Sequence, residues 1–293
     1  MKENVYDTAS GPIHYWINIA ENRNLTLLFL PGLTADHRLF DKQIECFRDK
    51  YNVFVWDPPA HAASWPFRFD FTLMDQAKWL YGILEKENIL EPVIVGQSMG
   101  GYVGQAFANL YPESLKGYIA IDSTPLQRKY MKNIELWLLK RLECLYLIYP
   151  WSLLLKMGTK GVAESDYGRK LMLDMMMTYN GDKKRYAKII GHGYKILAES
   201  MEEDLPYHIQ CPALLICGKN DKAGSTIRLN KAWHENSRIP IQWVENAGHN
   251  ANTDQPEIVN QLIESFLKKM SLFHHENCEN KSLNLHPVSE DKG

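Results

Sequence analysis

Short apolar runs bounded by turn residues alternate with segments of helical periodicity through most of this chain. Six apolar runs are predicted to be buried strands: residues 25–30, 52–56, 92–95, 117–121, 213–217 and 241–244. Residues 73–87, 100–111, 225–235 and 256–269 are predicted to be helices. This alternation predicts an α/β fold with a mostly parallel sheet covered by helices on both faces, and residues 14–19 are expected to add an antiparallel edge.

One long segment interrupts the alternation. About 90 residues between Asp122 and Ala213 contain no convincing strand, which is far more than an ordinary crossover needs. We interpret residues 125–204 as a helical cap inserted into a core formed by 1–124 and 205–272; a helical lobe that only packs on the core is the alternative. Its methionines, which include Met172 and Met175, favour packing but also suit an adaptable apolar pocket. Residues 273–293 are polar and predict a disordered tail.

Composition and charge narrow the class of protein. The 293 residues are 45% hydrophobic and 23% charged, as in globular proteins, and a net charge of −2 gives no indication of nucleic-acid binding. Five scattered cysteines are expected to be reduced thiols, and the polar N-terminus fits a cytoplasmic protein. The most apolar stretch, 145–157, is short and contains Pro150 and Lys156, so it favours a lid over stable membrane insertion.

Ser98 lies between a predicted strand and a predicted helix, in the sequence VIVGQSMGGY. A sharp strand-to-helix turn holds a serine in a strained backbone conformation with its hydroxyl exposed above the start of the helix. Such a turn requires small neighbours, and Gly96 and Gly100 lie two residues before and after Ser98. The alternative is a glycine-rich turn that only permits close packing. The G-x-S-x-G pattern in this context favours a nucleophile.

A serine nucleophile needs a base, itself oriented by a carboxylate. His249 follows the predicted strand 241–244, and loops at the carboxyl ends of parallel strands converge on one crevice. His192, inside the predicted cap, is the weaker rival and is expected to be structural or to line the pocket. Asp221 follows the strand 213–217 and is the preferred acid, while Asp122, at the end of GYIAID, is the alternative.

An acyl-transfer site also needs N–H donors for the oxyanion. The Met99 amide, at the start of the predicted helix, is one expected donor. The other is the Leu33 amide, in the turn Pro31-Gly32-Leu33-Thr34 that follows the strand 25–30.

Asp254 is too close to His249 in sequence to orient it easily. No metal site is predicted.

The chain resembles the α/β-hydrolase superfamily over roughly residues 12–269, through LLFLPGL, WDPPAHAAS, GQSMGG, LLICGKND and NAGHN. The resemblance implies an eight-stranded sheet, catalysis without a cofactor, and a triad of Ser98, His249 and Asp221 in the order Ser, Asp, His along the chain. It departs from the family at Pro31, where members commonly have histidine. It departs again at Ala60 and Ala62, where glycines are usual and a positive φ would be costly.

These features predict a carboxylesterase that cleaves a small or medium apolar ester or thioester through an acyl-enzyme on Ser98. The expected partner is a small-molecule substrate with an apolar group. C–C bond hydrolases and cofactor-free lyases with the same triad are alternatives, as is a non-catalytic ligand-binding receptor. A lipase that docks on membranes through 145–157 is a further hypothesis.

Overall fold

A computed structural model describes residues 1–283, with side chains through Ser271, and contains one eight-stranded sheet. The strands are β1 (Lys2–Asp7), β2 (Pro12–Asn18), β3 (Thr26–Leu30), β4 (Asn52–Trp56), β5 (Val93–Gln97), β6 (Gly117–Ile121), β7 (Ala213–Gly218) and β8 (Ile241–Val244). Their order in the sheet is β1-β2-β4-β3-β5-β6-β7-β8. Strands β3 to β8 are parallel, while β2 is antiparallel to both of its neighbours.

Eleven α-helices connect or follow these strands within the described residues. They are α1 (Asp41–Phe47), α2 (Leu73–Lys86), α3 (Met99–Leu110), α4 (Asn133–Leu139), α5 (Leu142–Ile148), α6 (Trp151–Thr159), α7 (Asp166–Met176), α8 (Lys183–Glu202), α9 (Thr226–Ser237), α10 (Ala251–Asp254) and α11 (Pro256–Leu283). Short 3-10 turns lie at His37–Phe40, Ala62–Ser64, Pro112–Ser114, Arg128–Tyr130 and Met177–Tyr179. The mostly parallel α/β architecture with eight strands is therefore confirmed.

The sheet is buried on both faces because alternate side chains of its central strands enter two separate cores. In β3, Leu28 and Leu30 contribute to one core and Leu27 and Phe29 to the other. The first core contains side chains of α2, α3, α4, α6 and α8, and the second contains side chains of α1, α7 and α11. Burial on both sides explains why these strands read as continuous apolar runs in the sequence.

The predicted strand at residues 14–19 is antiparallel, as expected, but its predicted position at the edge of the sheet was wrong. We expected the strand at residues 14–19 to form the edge, but β2 lies second in the sheet and β1 pairs outside it. β1 has the sequence KENVYD, and none of its side chains is fully buried. A strand that buries so little carries no apolar run to reveal it.

The segment between β6 and β7 contains helices and 3-10 turns but no strand, and these lie within the predicted range 125–204. Helix α8 packs against α2 of the core as well as against α4 and α5, and α6 packs against α7. Side chains from α5, α6, α7 and α8 line a cavity that also contains Ser98. The inserted helices therefore cover the edge of the sheet where β5 ends.

The last helix is longer than predicted. We expected it to end near residue 269, yet the backbone of α11 is helical through Leu283. Residues 273–283 contain neither proline nor glycine, so nothing in the chain breaks the helix there. The rest of the predicted tail, 284–293, lies outside the described residues. Within residues 1–283, no helix combines the length and apolarity that a bilayer span requires.

Candidate active site

Ser98 occupies a sharp turn between β5 and α3, with φ 48° and ψ −115°. Its N–H donates to the carbonyl O of Ile121 at 2.9 Å, which fixes the turn to β6. A Cβ on Gly96 would lie 2.5 Å from the carbonyl O of Gly100, and a Cβ on Gly100 would overlap the carbonyl O of Leu30. Both glycines are therefore required by close backbone approach, as the G-x-S-x-G pattern predicts.

The structure brings Ser98, His249 and Asp221 together. The Ser98 Oγ and the His249 Nε2 are 2.8 Å apart, and the His249 Nδ1 and the Asp221 Oδ2 are also 2.8 Å apart. The three residues follow β5, β8 and β7 respectively, so their proximity results from parallel strands that end at the same edge. A carboxylate only accepts hydrogen bonds, so Nδ1–H donates to Asp221 and Nε2 accepts from the Ser98 hydroxyl.

The surroundings of His249 stabilise its protonated form. Burial acts to lower the pKa of His249, but its hydrogen bond to Asp221 and the charges of Asp221 and Asp122 outweigh burial and raise the pKa above 6.5. The Asp221 side chain is fully buried and its other oxygen accepts from the Ala223 N–H at 2.7 Å. A histidine held in this way is a suitable general base for the Ser98 hydroxyl.

Asp122, the alternative acid, has no hydrogen bond to His249. Its two carboxylate oxygens accept from the N–H groups of Gly218 at 2.7 Å and Ala251 at 2.9 Å. Burial and the neighbouring charge of Asp221 raise its pKa well above 3.8. Asp122 therefore connects the ends of β6 and β7 to the segment after His249, while Asp221 holds the imidazole.

The turn after β3 lies beside Ser98. The Ala35 N–H donates to the carbonyl O of Gly32 at 3.2 Å, and Thr34 has φ 67°, as at the third position of a type II turn. The hydrogen bond of this turn does not involve the N–H of Leu33. Met99 is the first residue of α3, so its N–H has no acceptor within the helix. Leu33, Ser98 and Met99 all line one cavity.

Sequence reasoning missed the role of His61, which fixes this turn. The His61 Nε2 accepts from the Thr34 N–H at 3.0 Å, while its Nδ1–H donates to the carbonyl O of Pro59 at 2.9 Å. Burial lowers the pKa of His61, which keeps the ring neutral and able to accept. Ala60 and Ala62 have φ 72° and 37° in the same loop, so it keeps the positive φ angles that favour glycine.

Two further residues hold the backbone on either side of His249, and neither was singled out from the sequence for this role. The Gln97 Nε2 donates to the carbonyl O of His249 at 2.8 Å and to the Asn250 Oδ1 at 3.1 Å. Asp254 accepts from the Gly248 N–H at 2.8 Å. The position of Gln97 next to Ser98 was the one signal available in the sequence.

Ser98 and His249 lie where two cavities meet, of about 400 and 300 Å³. The larger is lined by apolar and tyrosine side chains that include Leu33, Tyr146, Met157, Met172, Tyr186, Ile190 and Tyr194. The smaller is lined by others that include Tyr102, Met131, Leu138, Leu139, Leu197, Met201 and Leu229. The site can therefore accept apolar groups on both sides of Ser98.

His192, the rival base, lies apart from Ser98. Its ring packs edgewise on Phe71 and Phe69, at centroid distances of 4.4 and 5.3 Å, in a cavity of only about 20 Å³. Burial, with help from the charge of Lys195, lowers the pKa of His192 to about 4. A ring in this setting is neutral at pH 7, and it packs on Phe69 and Phe71 beside the small cavity.

Comparison with known proteins agrees with this architecture. The family model described as alpha/beta hydrolase fold matches residues 26–146. The chain is 24% identical over 268 residues to the uncharacterised hydrolase YugF of Bacillus subtilis, covering 89% of this chain and 96% of YugF. It is 26% identical over 255 residues to 3-oxoadipate enol-lactonase 2 of Acinetobacter baylyi, covering 84% and 89%. A thermophilic esterase from Thermogutta terrifontis superposes with a TM-score of 0.73 at 20% identity, covering 92% and 99%.

Proposed function

We propose that this chain, which belongs to the α/β-hydrolase superfamily, is a serine hydrolase that cleaves a small or medium apolar ester or thioester through an acyl-enzyme on Ser98. The observation that carries the proposal is the continuous hydrogen-bonded series from the Ser98 Oγ through His249 to Asp221. This series ends at the junction of two cavities whose linings include many apolar side chains. One would receive the acyl group and the other the alcohol or thiol.

The proposed reaction begins when His249 Nε2 takes the proton of the Ser98 hydroxyl as Oγ attacks the ester carbonyl carbon. Negative charge then develops on the carbonyl oxygen, where the N–H groups of Leu33 and Met99 would donate to it. The protonated His249, stabilised by Asp221, returns the proton to the leaving alcohol or thiol. Water activated by the same histidine then attacks the acyl-enzyme, releases the acid and restores Ser98.

The charges of the cavities favour an uncharged substrate. Among the described residues that line the larger cavity, Lys222 is the one lysine or arginine, and its Nζ pairs with Glu164 at 3.0 Å. The smaller cavity has Glu135, which pairs with Arg228. A substrate carrying free carboxylates would find no bidentate arginine partner here. This argues for an apolar ester over the dicarboxylic substrates that some C–C hydrolases or lyases would take.

The proposal is tested by intact-protein mass spectrometry after exposure to a fluorophosphonate. We expect one stoichiometric adduct on the wild type and none on Ser98→Ala. Ser225→Ala is the matched control, because Ser225 lines the smaller cavity without contacting His249, and it should still be labelled. Labelling that persists in Ser98→Ala would refute the proposal. Folded wild-type protein that remains unlabelled would instead support a non-catalytic ligand-binding protein.

A panel of p-nitrophenyl esters then tests the substrate class. We expect kcat/KM to be higher for uncharged acetyl to hexanoyl esters than for a monosuccinyl ester of similar length. A preference for the succinyl ester would contradict the argument from cavity charge. If the wild type reacts with the fluorophosphonate but unlabelled enzyme hydrolyses none of the esters, the C–C hydrolase or lyase alternative would be favoured.

A further inference from the structure

Helices α4, α5 and α6 carry a concentration of exposed apolar side chains. Seventeen large hydrophobic residues are exposed among the described side chains, and eight of them fall between residues 134 and 157. We call these eight the cap patch: Ile134, Trp137, Leu138, Leu145, Leu147, Ile148, Leu153 and Met157. Ile148 is 74% exposed and Ile134 is 58% exposed. Apolar exposure concentrated in this way marks an interaction surface rather than scattered surface residues.

The helices present the cap patch away from the core. In α4, Ile134, Trp137 and Leu138 have helical spacing, while Leu136 is fully buried. In α6, Leu153 and Met157 lie one turn apart, while Leu154 is fully buried. The inner faces of α4 and α5 pack on α8, and that of α6 packs on α7. The exposed side chains therefore form the outer faces of three consecutive short helices.

The segment that carries the cap patch has a net charge opposite in sign to that of the rest of the chain. Residues 126–160 contain seven lysines and arginines but only two glutamates, a net charge of +5. The whole chain carries −2, so the remainder carries −7. Lys156 and Lys160 are exposed, and the Arg141 guanidinium stacks 3.9 Å from the Trp137 ring centre. Basic residues among exposed Trp and Leu are the composition of helices that lie in the headgroup region of a bilayer.

The cap patch is also continuous with the two cavities at Ser98. Leu138 lines the smaller cavity and Met157 lines the larger one. Both side chains are also exposed to solvent. An apolar chain that left a lipid layer at the cap patch would therefore meet side chains that also line the cavities containing Ser98.

We propose that the cap patch is a docking surface for an anionic lipid bilayer, with its apolar side chains inserted at the headgroup level and its lysines and arginines paired with lipid phosphates. Burial of the eight side chains and attraction of the basic residues act together. Docking does not depend on catalysis, so Ser98→Ala should bind vesicles as well as the wild type.

The experiment is flotation of the purified full chain with vesicles of phosphatidylcholine alone or with phosphatidylglycerol added, at low and high salt. We expect the wild type to float with the anionic vesicles and to do so less at high salt, because salt screens the charge term. Ile148→Glu and Lys156→Glu should each weaken binding about tenfold or more. The control is Leu90→Glu, since Leu90 is 84% exposed in the loop that precedes β5, at the amino end of that strand. It should bind as the wild type does.

Several outcomes would overturn the proposal. One is wild-type protein that stays with the soluble fraction at low salt. Another is binding that Lys156→Glu weakens and Ile148→Glu leaves unchanged, which would indicate surface adsorption by charge alone. Equal loss in Leu90→Glu would also count against it. If light scattering detects a dimer that Ile148→Glu dissociates and vesicles do not compete with, the cap patch binds a second copy of this chain instead.

Discussion

The carboxylate of Asp254 accepts the N–H of Gly248, the residue before His249, at 2.8 Å. The same carboxylate accepts the N–H groups of Glu164 at 2.9 and 3.0 Å and of Ser165 at 2.8 Å, which precede α7. The buried side chain of Asp254 thus joins the loop that contains His249 to the inserted helices. The Asn250 N–H adds a second link, donating to the carbonyl O of Val162 at 3.0 Å.

We expect Asp254→Asn to lower both stability and the reactivity of Ser98. The asparagine amide has one accepting oxygen, whereas the carboxylate has two. At least one backbone N–H would therefore lose its acceptor and face the NH₂ group, which should lower the free energy of unfolding by about 1–3 kcal/mol. Urea unfolding and the rate of fluorophosphonate labelling measure the two effects. Asp166→Asn is the control, because Asp166 is exposed in the first turn of α7. A labelling rate that stays at the wild-type value would mean that Asp254 stabilises the fold without positioning His249.

The two carboxylates near His249 should differ in their effect on catalysis. Asp221→Asn removes the negative charge and leaves one accepting oxygen for two donors, the Nδ1–H of His249 and the N–H of Ala223, so the imidazole loses its orientation. By analogy with serine hydrolases, kcat should fall about 10⁴-fold. Asp122→Asn disturbs the hydrogen bonds to Gly218 and Ala251, so its main effect should be on stability. Ester hydrolysis and thermal unfolding of both variants measure this contrast. If kcat fell more in folded Asp122→Asn than in Asp221→Asn, Asp122 would be the acid that supports His249 and Asp221 the structural carboxylate.

Replacing His61 should impair the turn that carries Leu33. His61→Ala leaves the buried N–H of Thr34 without its acceptor, so the turn should shift and the proposed oxyanion donor with it. Since this donor acts on the transition state, kcat should fall by about 10–10² with little change in KM. His14→Ala, at a partly exposed histidine of β2, is the control. A rise in KM alone would show that His61 shapes the substrate cavity instead.

Buried neutral histidines should make the fold sensitive to mild acid. The pKa of His192 is about 4 in the folded protein, against 6.5 ordinarily, so between these values the unfolded chain binds a proton that the folded chain does not. Stability should therefore fall as the pH drops through this window, by up to about 3 kcal/mol at pH 4 from this group. Urea midpoints at pH 7 and pH 4.5 measure the loss. His192→Gln should lose less stability between these pH values than the wild type, and an equal loss would contradict the assignment.

The sequence by itself determined the central strands, the strand-to-helix turn at Ser98 and the residue types at the site. Strands buried on both faces are apolar almost throughout, so β3, β4 and β6 were predicted almost to the residue. The turn at Ser98 was equally visible in the sequence. Backbone segments approach each other so closely at Gly96 and Gly100 that no side chain fits there. Both signals are local, arising within a few consecutive residues.

Only the tertiary structure decided what each carboxylate near His249 contacts and which residues hold the site in shape. Asp122 directly follows β6 and Asp221 lies three residues beyond β7, and the Ser, Asp, His order along the chain favoured Asp221 without showing what either carboxylate contacts. Asp122, with φ 47°, turns toward backbone N–H groups, and Asp221 reaches the imidazole. His61 and Asp254 bind N–H groups 27 and 90 residues away. Such contacts depend on how strands and inserted helices assemble, and no short stretch of sequence encodes that assembly.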